Sequence, residues 1–335
     1  MSFKEYYPIF LLLIALCLFI LVLFKFRYRI LIFNIAFLTL AFSVAGWYFK
    51  SKMKLTDHHT KIIFKESKAL GWVGIKNAVD TSKRFCGEKL LFNVVYNLDE
   101  NGLRRTPSII SNKETKSVVF FGCSFTFGFG LNDNETIPYI VQEKAGNKFK
   151  VYNFGMDGYG TQQMLYVIDH NIIDTILKFE PKNFVYIVIP DHIYRMLGQY
   201  DWCKTFPKYI LDPNTKDLKY MGDFGEIKKH TNELCQSDFE LFGLMVLKSK
   251  KILLAKYPNS KFHVILWHCK EMVGNKMVEI LRKKNIDTHV LTNFVPNYAK
   301  DRKLYRIRPP YEDHPNYRIN LLISNYIVDS IICKK

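Results

Sequence analysis

The stretch Ser117-Val-Val-Phe-Phe-Gly-Cys-Ser-Phe-Thr-Phe-Gly-Phe-Gly130 decides how this chain is read. Residues 118–121 are β-branched or aromatic and too few for a helix, so they predict a buried strand. The strand runs into Gly122-Cys123-Ser124, and a helix signal follows shortly afterwards. Gly122 lets the backbone turn sharply, and a serine at the carboxyl end of a parallel strand stands where open α/β sheets place their ligands. The next helix can lend its N-terminal dipole to an anion. That is the setting of a nucleophile, yet an isolated Gly-x-Ser after a strand is more often only a turn. Ser124 needs a base and oxyanion donors from elsewhere.

Downstream, Asn132-Asp-Asn-Glu135 offers an N-cap for a helix to about Ala145, closed by Gly146-Asn147. A strand over 149–154 leads into Gly155-Met-Asp-Gly-Tyr-Gly160, and Thr161 opens a helix to about Phe179. Residues 184–189 read as another buried strand, ending in Pro190-Asp191-His192. Residues 201–237 hold turn pairs and no clear period, as an insertion or lid would. A helix over 238–257, a strand over 262–267, a basic helix over 271–284 and a strand over 286–291 follow. An irregular loop over 292–313 precedes a closing helix over 316–332. Upstream, strands are expected at 90–97 and 103–110. Strands alternating with helices of this length predict a parallel sheet covered on both faces.

The N-terminal region is of another kind. Residues 7–24 and 30–49 are uncharged, and each approaches the roughly 20 residues that span a bilayer. Tyr6, Tyr7, Trp47 and Tyr48 stand at their ends, where interfacial aromatics collect. A cleaved signal peptide fits worse, because the first run is long and no small-residue cleavage site stands out. The expectation is a transmembrane hairpin over residues 1–54, a juxtamembrane connector over 55–89 and a globular domain over 90–335. Lys25, Arg27 and Arg29 favour a cytoplasmic loop with the domain outside; Lys50, Lys52 and Lys54 argue the reverse.

The 335 residues carry a net charge of +17, with basic residues dense from 276 to 318. Such an excess suits an anionic partner, whether phospholipid, acidic polysaccharide or nucleic acid. No zinc-finger spacing, basic heptad or RNA-binding aromatic signature is present, so nucleic acid ranks last. Seven scattered cysteines without a CxxC pair support neither a disulfide framework nor a zinc site.

Four positions then fall after successive strands or before the last helix: Ser124, the Gly155/Gly158 pair, Asp191-His192 and His314. Acyl transfer needs a nucleophile, a base, a group orienting that base, and oxyanion donors. In this order the chain resembles the SGNH, or GDSL-like, hydrolases. Gly122-Cys123-Ser124 resembles their Gly-Asp-Ser block, Asn153-Phe-Gly-Met-Asp-Gly158 the second, and Glu312-Asp313-His314-Pro315 the last. The resemblance covers roughly residues 90–332 and implies a flavodoxin-like three-layer α/β/α sandwich.

It further implies Ser124 as nucleophile, His314 as base, Glu312 or Asp313 as the acid, and Ser124, Gly158 and Gly155 as oxyanion donors. The family's third block normally holds Gly-x-Asn-Asp; Pro190-Asp191-His192 stands there instead. An ionised Asp191 cannot donate, whereas a ring nitrogen of His192 can, or His192 only supports its loop. No metal or organic cofactor is called for. The implied activity is that of a membrane-anchored serine esterase or O-acyltransferase acting on acylated glycan or lipid, its domain outside a bacterial inner membrane. The rival is a catalytically silent domain that binds a glycan or a membrane partner.

Overall fold

A computed structural model describes residues 12–16, 29–52, 54–215, 217–225, 233–268 and 271–333. The chain divides into two compact units, residues 1–58 with 83–91, and residues 59–82 with 92–335. The first unit contains the helix Arg29–Lys52. Within it, Arg84 grips Asp57 through two hydrogen bonds of 2.6 and 2.8 Å. Of the two expected membrane spans, 30–49 falls inside this helix, whose Phe37, Phe42 and Trp47 are exposed. The other, 7–24, lies largely outside the described residues. Among the described residues no helix is long and apolar enough to cross a membrane.

The second unit is built on five parallel strands, Lys116–Phe121 (β1), Phe149–Asn153 (β2), Pro181–Val188 (β3), Lys261–Leu266 (β4) and Asp287–Val290 (β5). Their spatial order is β5-β4-β3-β1-β2, the flavodoxin-like arrangement with a switch point between β1 and β3. Residues 117–121 of β1 and 183–188 of β3 are buried whichever way they point, which requires cover on both faces. One face packs Val118, Phe120, Val185 and Ile187 against the helices Ile137–Ala145 (α1) and Tyr317–Ile327 (α5). The helices Thr161–Asp169 (α2), Gln236–Lys256 (α3) and Met272–Lys283 (α4) pack in succession on one another in the opposite layer. The α/β fold with a parallel sheet is therefore the one expected.

Local departures have physical causes. The helix from Thr161 stops at Asp169, because Asn171 takes a left-handed φ of 55°. Residues 103–110 form no strand, only the single bridge Leu98–Arg104. The insertion at 201–237 contains an antiparallel hairpin, Pro207–Leu211 with Leu218–Asp223, turned by Asp212 accepting from the amides of Asn214 and Thr215. The polar connector expected at 55–89 instead forms strands, including Phe64–Ser67 paired with Gly71–Gly74. In the strand Val79–Cys86 the inward positions Asp80 and Ser82 are polar, so alternating hydrophobicity could not reveal it.

Asp80 is fully buried and accepts from the amides of Thr60 and Lys61 at 2.8 and 3.0 Å, while its other oxygen meets His59 Nδ1 at 2.6 Å. Replacing Asp80 by Ala removes the buried acceptor that these three donors share. The expected cost is about 2–4 kcal/mol, read as a lower urea midpoint at unchanged slope.

Candidate active site

Strand β1 delivers the chain to Gly122, where φ is 156° and an added Cβ would lie 2.0 Å from Thr126 Oγ1 and 2.9 Å from the Ile187 carbonyl. Only glycine fits so close an approach. The backbone then winds into one helical turn, Ser124–Phe127, closed by Gly128 in the left-handed region with its N–H on the Ser124 carbonyl. Ser124 is the first residue of that turn, and first-turn N–H groups have no acceptor within their own helix.

Buried groups hold the turn from behind. Asn153, at the end of β2, donates to the Thr126 carbonyl at 3.0 Å and accepts from the Gly155 amide at 2.9 Å. A Cβ on Gly155 would stand 2.7 Å from the Phe127 nitrogen, so this glycine lets the second loop press against the Ser124 turn. Its N–H is spent on Asn153, which corrects its expected part as an oxyanion donor. Arg104, 1% exposed, lies over the rings of Tyr96 and Phe127 and donates to Asp133 and the Leu131 carbonyl.

His314 arrives on a short hairpin, Arg306–Arg308 with Glu312–Pro315, just ahead of α5. Side chains alternate along a strand, so Glu312 and His314 share one face while Asp313 points away. Accordingly Glu312 is buried, whereas Asp313 is 69% exposed and paired with Arg306 at 3.0 Å. Glu312 Oε1 accepts from His314 Nδ1 at 2.5 Å and from the His314 amide at 3.1 Å. The opposite ring nitrogen, Nε2, lies 3.0 Å from Ser124 Oγ. Phe125 and Phe129 flank the imidazole, with ring centroids 5.6 and 4.6 Å away. The structure thus brings Ser124, His314 and Glu312 into one hydrogen-bonded line and leaves Asp313 outside it.

The second loop is fixed by Trp72, which donates to the Asp157 carbonyl at 2.8 Å and accepts from Tyr159 at its own carbonyl. Gly158 sits between them, half-buried with φ at 73°, and a Cβ there would collide with the rings of Trp72 and Trp202. The third-block residues are otherwise engaged. Asp191 accepts from Arg195 Nε at 2.7 Å and from the Tyr200 hydroxyl. His192 is wholly buried, its Nδ1 2.7 Å from the Tyr186 hydroxyl. Burial, helped by the nearby Arg195 charge, pushes its imidazole well below the ordinary histidine range, so the ring is neutral. No hydrogen bond among the described residues joins it to Ser124 or His314.

Reasoning from sequence missed Arg195. This buried guanidinium donates to the Tyr159 carbonyl at 2.8 Å and reaches the Cys123 thiol, linking the second loop, the third block and the residue before Ser124. Burial pushes that thiol up, so Cys123 stays protonated. Of the basic stretch 276–318, Lys283 pairs with Glu279, Lys284 with Glu240 and Arg306 with Asp313, so part of its charge is already met.

No protein-family model matches the sequence, and no curated protein is similar enough to pair with it. Among solved structures the chain is similar to the acetyl xylan esterase Est2A of Butyrivibrio proteoclasticus, at 10% identity and a TM-score of 0.42 over 77% of this chain and 70% of that one. It is similar also to a protein described as a GDSL-like lipase from Bacteroides uniformis, at 16% identity, TM-score 0.37, over 66% and 97%. A third is the family 3 carbohydrate esterase of Clostridium thermocellum, at 10% identity, TM-score 0.38, over 65% and 96%. Likeness this distant carries nothing about activity, which rests on the geometry above.

The two carboxylates are separable by experiment. Glu312→Gln should slow labelling of Ser124 by a fluorophosphonate probe about 10³–10⁴-fold, because the amide cannot hold the productive tautomer. Asp313→Asn should stay within a few-fold of the parent chain.

Proposed function

We propose that this chain is a serine esterase or O-acyltransferase of SGNH type, acting on ester-linked acyl groups of cell-envelope glycan or lipid. The observation that carries the proposal is the Glu312–His314–Ser124 line, 2.5 and 3.0 Å between its successive members. With Nδ1–H donated to Glu312, the Nε2 lone pair faces the serine hydroxyl. As Ser124 Oγ attacks the ester carbonyl, its proton passes to His314 Nε2, and Glu312 stabilises the imidazolium. The N–H groups of Ser124 and Gly158 hold the oxyanion, each worth ~3 kcal/mol in comparable enzymes. The tetrahedral species collapses to acyl-Ser124 while His314 returns the proton to the departing alkoxide. Water then gives hydrolysis; a sugar hydroxyl gives acyl transfer.

A glycan acceptor is supported by the flank of the second loop. Trp202 is 41% exposed, stacks on Tyr200 at 5.1 Å and lies against Gly158. That places a broad aromatic surface, suited to the apolar face of a sugar ring, beside the proposed oxyanion donor. Anchoring through the apolar runs at 7–24 and 30–49 is supported by their lack of charge, and a cell-envelope substrate would put the domain outside. Periplasmic reporter fusions after Lys335 test that orientation: activity is expected there, and only cytoplasmic reporters responding would reverse it.

For the chemistry itself, turnover of an aryl acetate is the direct measure. Ser124→Ala and His314→Ala are each expected to lose at least ~10³-fold in kcat with the fold retained. Parent protein without turnover, or variants that keep it, would leave a silent binding domain as the better account.

A further inference from the structure

At the far edge of the sheet, β4 and β5 bring together three metal-ligating side chains that the acyl-transfer chemistry does not use. His263 pairs in register with Asp287, and Ile265 with His289. Alternation along parallel strands therefore puts His263, Asp287 and His289 on one face. Asp287 Oδ2 lies 2.8 Å from His263 Nδ1, Asp287 Oδ1 lies 3.5 Å from His289 Nε2, and these two nitrogens are 3.4 Å apart. Donors about 2.1 Å from a tetrahedral ion stand ~3.4 Å from one another, the spacing of the two imidazole nitrogens here, and each of those nitrogens has one oxygen of Asp287 beside it.

The surroundings suit ligation as well. His289 Nδ1 lies 2.8 Å from the Tyr326 hydroxyl on α5, and Tyr326 is stacked flat on Phe294 with centroids 3.9 Å apart. Donation from Nδ1 to that oxygen leaves the Nε2 lone pair toward His263 and Asp287, the outer-shell arrangement that orients a metal-binding imidazole. His263 is nearly buried while Asp287 is 57% exposed, so one side of the triangle opens to solvent. Two imidazoles with one carboxylate suit zinc and its first-row neighbours rather than calcium or magnesium. The cluster takes the third residue of β4 and the first and third residues of β5, at one edge of the sheet, whereas Ser124 follows the carboxyl end of the inner strand β1.

We propose that His263 Nδ1, Asp287 and His289 Nε2 form a binding site for a divalent first-row metal ion of the zinc class, clamping edge strand β5 to β4 and, through Tyr326, to α5. The test is cobalt titration of the chelator-treated full chain, followed by visible absorption and by zinc competition. One ion per chain is expected, with a ligand-field band that zinc removes and a higher melting temperature with metal. His289→Gln and Asp287→Asn should each abolish the band, and Tyr326→Phe should weaken binding about 10–100-fold. Ser124→Ala should bind as the parent does, which separates this site from the hydrolase reading. A parent chain that binds no ion, or binding unchanged in folded His289→Gln and Asp287→Asn proteins, would overturn the assignment. Circular dichroism establishes that those variants are folded.

Discussion

A serine hydroxyl becomes a nucleophile only if a neighbouring base is held in the one tautomer that can take its proton. In the mechanism we propose, that constraint falls on the His314–Glu312 hydrogen bond. It fixes the Nδ1 proton, turns Nε2 toward Ser124 and supplies the counter-charge for the imidazolium. Because Glu312 and His314 lie two residues apart on one strand, the pairing follows from the pleat and needs no long loop to be ordered. Burial of Glu312 keeps water from competing for the imidazole proton.

The sheet and the loops after β1 and β2 bring the serine to that ring. The parallel sheet places Ser124 at a strand end beside the switch point, where the backbone must turn sharply and Gly122 alone can make the turn. Asn153 and Gly155 lock the second loop against the turn, and Arg104 braces it from the other side. Arg195 joins Tyr159, Asp191 and Cys123 in one buried network. A protonated thiol at position 123 is compatible with such a network because it adds no charge beside Ser124.

Much of this was legible in the sequence because it is encoded locally. The strand–Gly–x–Ser elbow, the glycines after β2 and the His-Pro before α5 are short motifs whose spacing reports position on an α/β sheet. What was not legible depended on partners distant in the chain. The choice of Glu312 over Asp313 needed the hairpin that residues 306–315 form, whereas residues 292–313 read as irregular loop. The strand Val79–Cys86 was hidden because Asp80 and Ser82 occupy inward positions normally given to apolar residues. The role of His192 depended on Tyr186, which binds its ring and keeps it inside the core. The His263, Asp287 and His289 cluster escaped notice because its members are 24 and 26 residues apart and meet only through strand register.

On the proposed mechanism Ser124 carries the acyl group between donor and acceptor. This is tested most directly by rapid acid quench of the protein with an activated acetate, followed by peptide mass spectrometry. An acetyl adduct on the Ser124 peptide is expected to form within the first turnover and to be missing from His314→Ala. Turnover that proceeds with no adduct there, or with the acyl group on another residue, would contradict it.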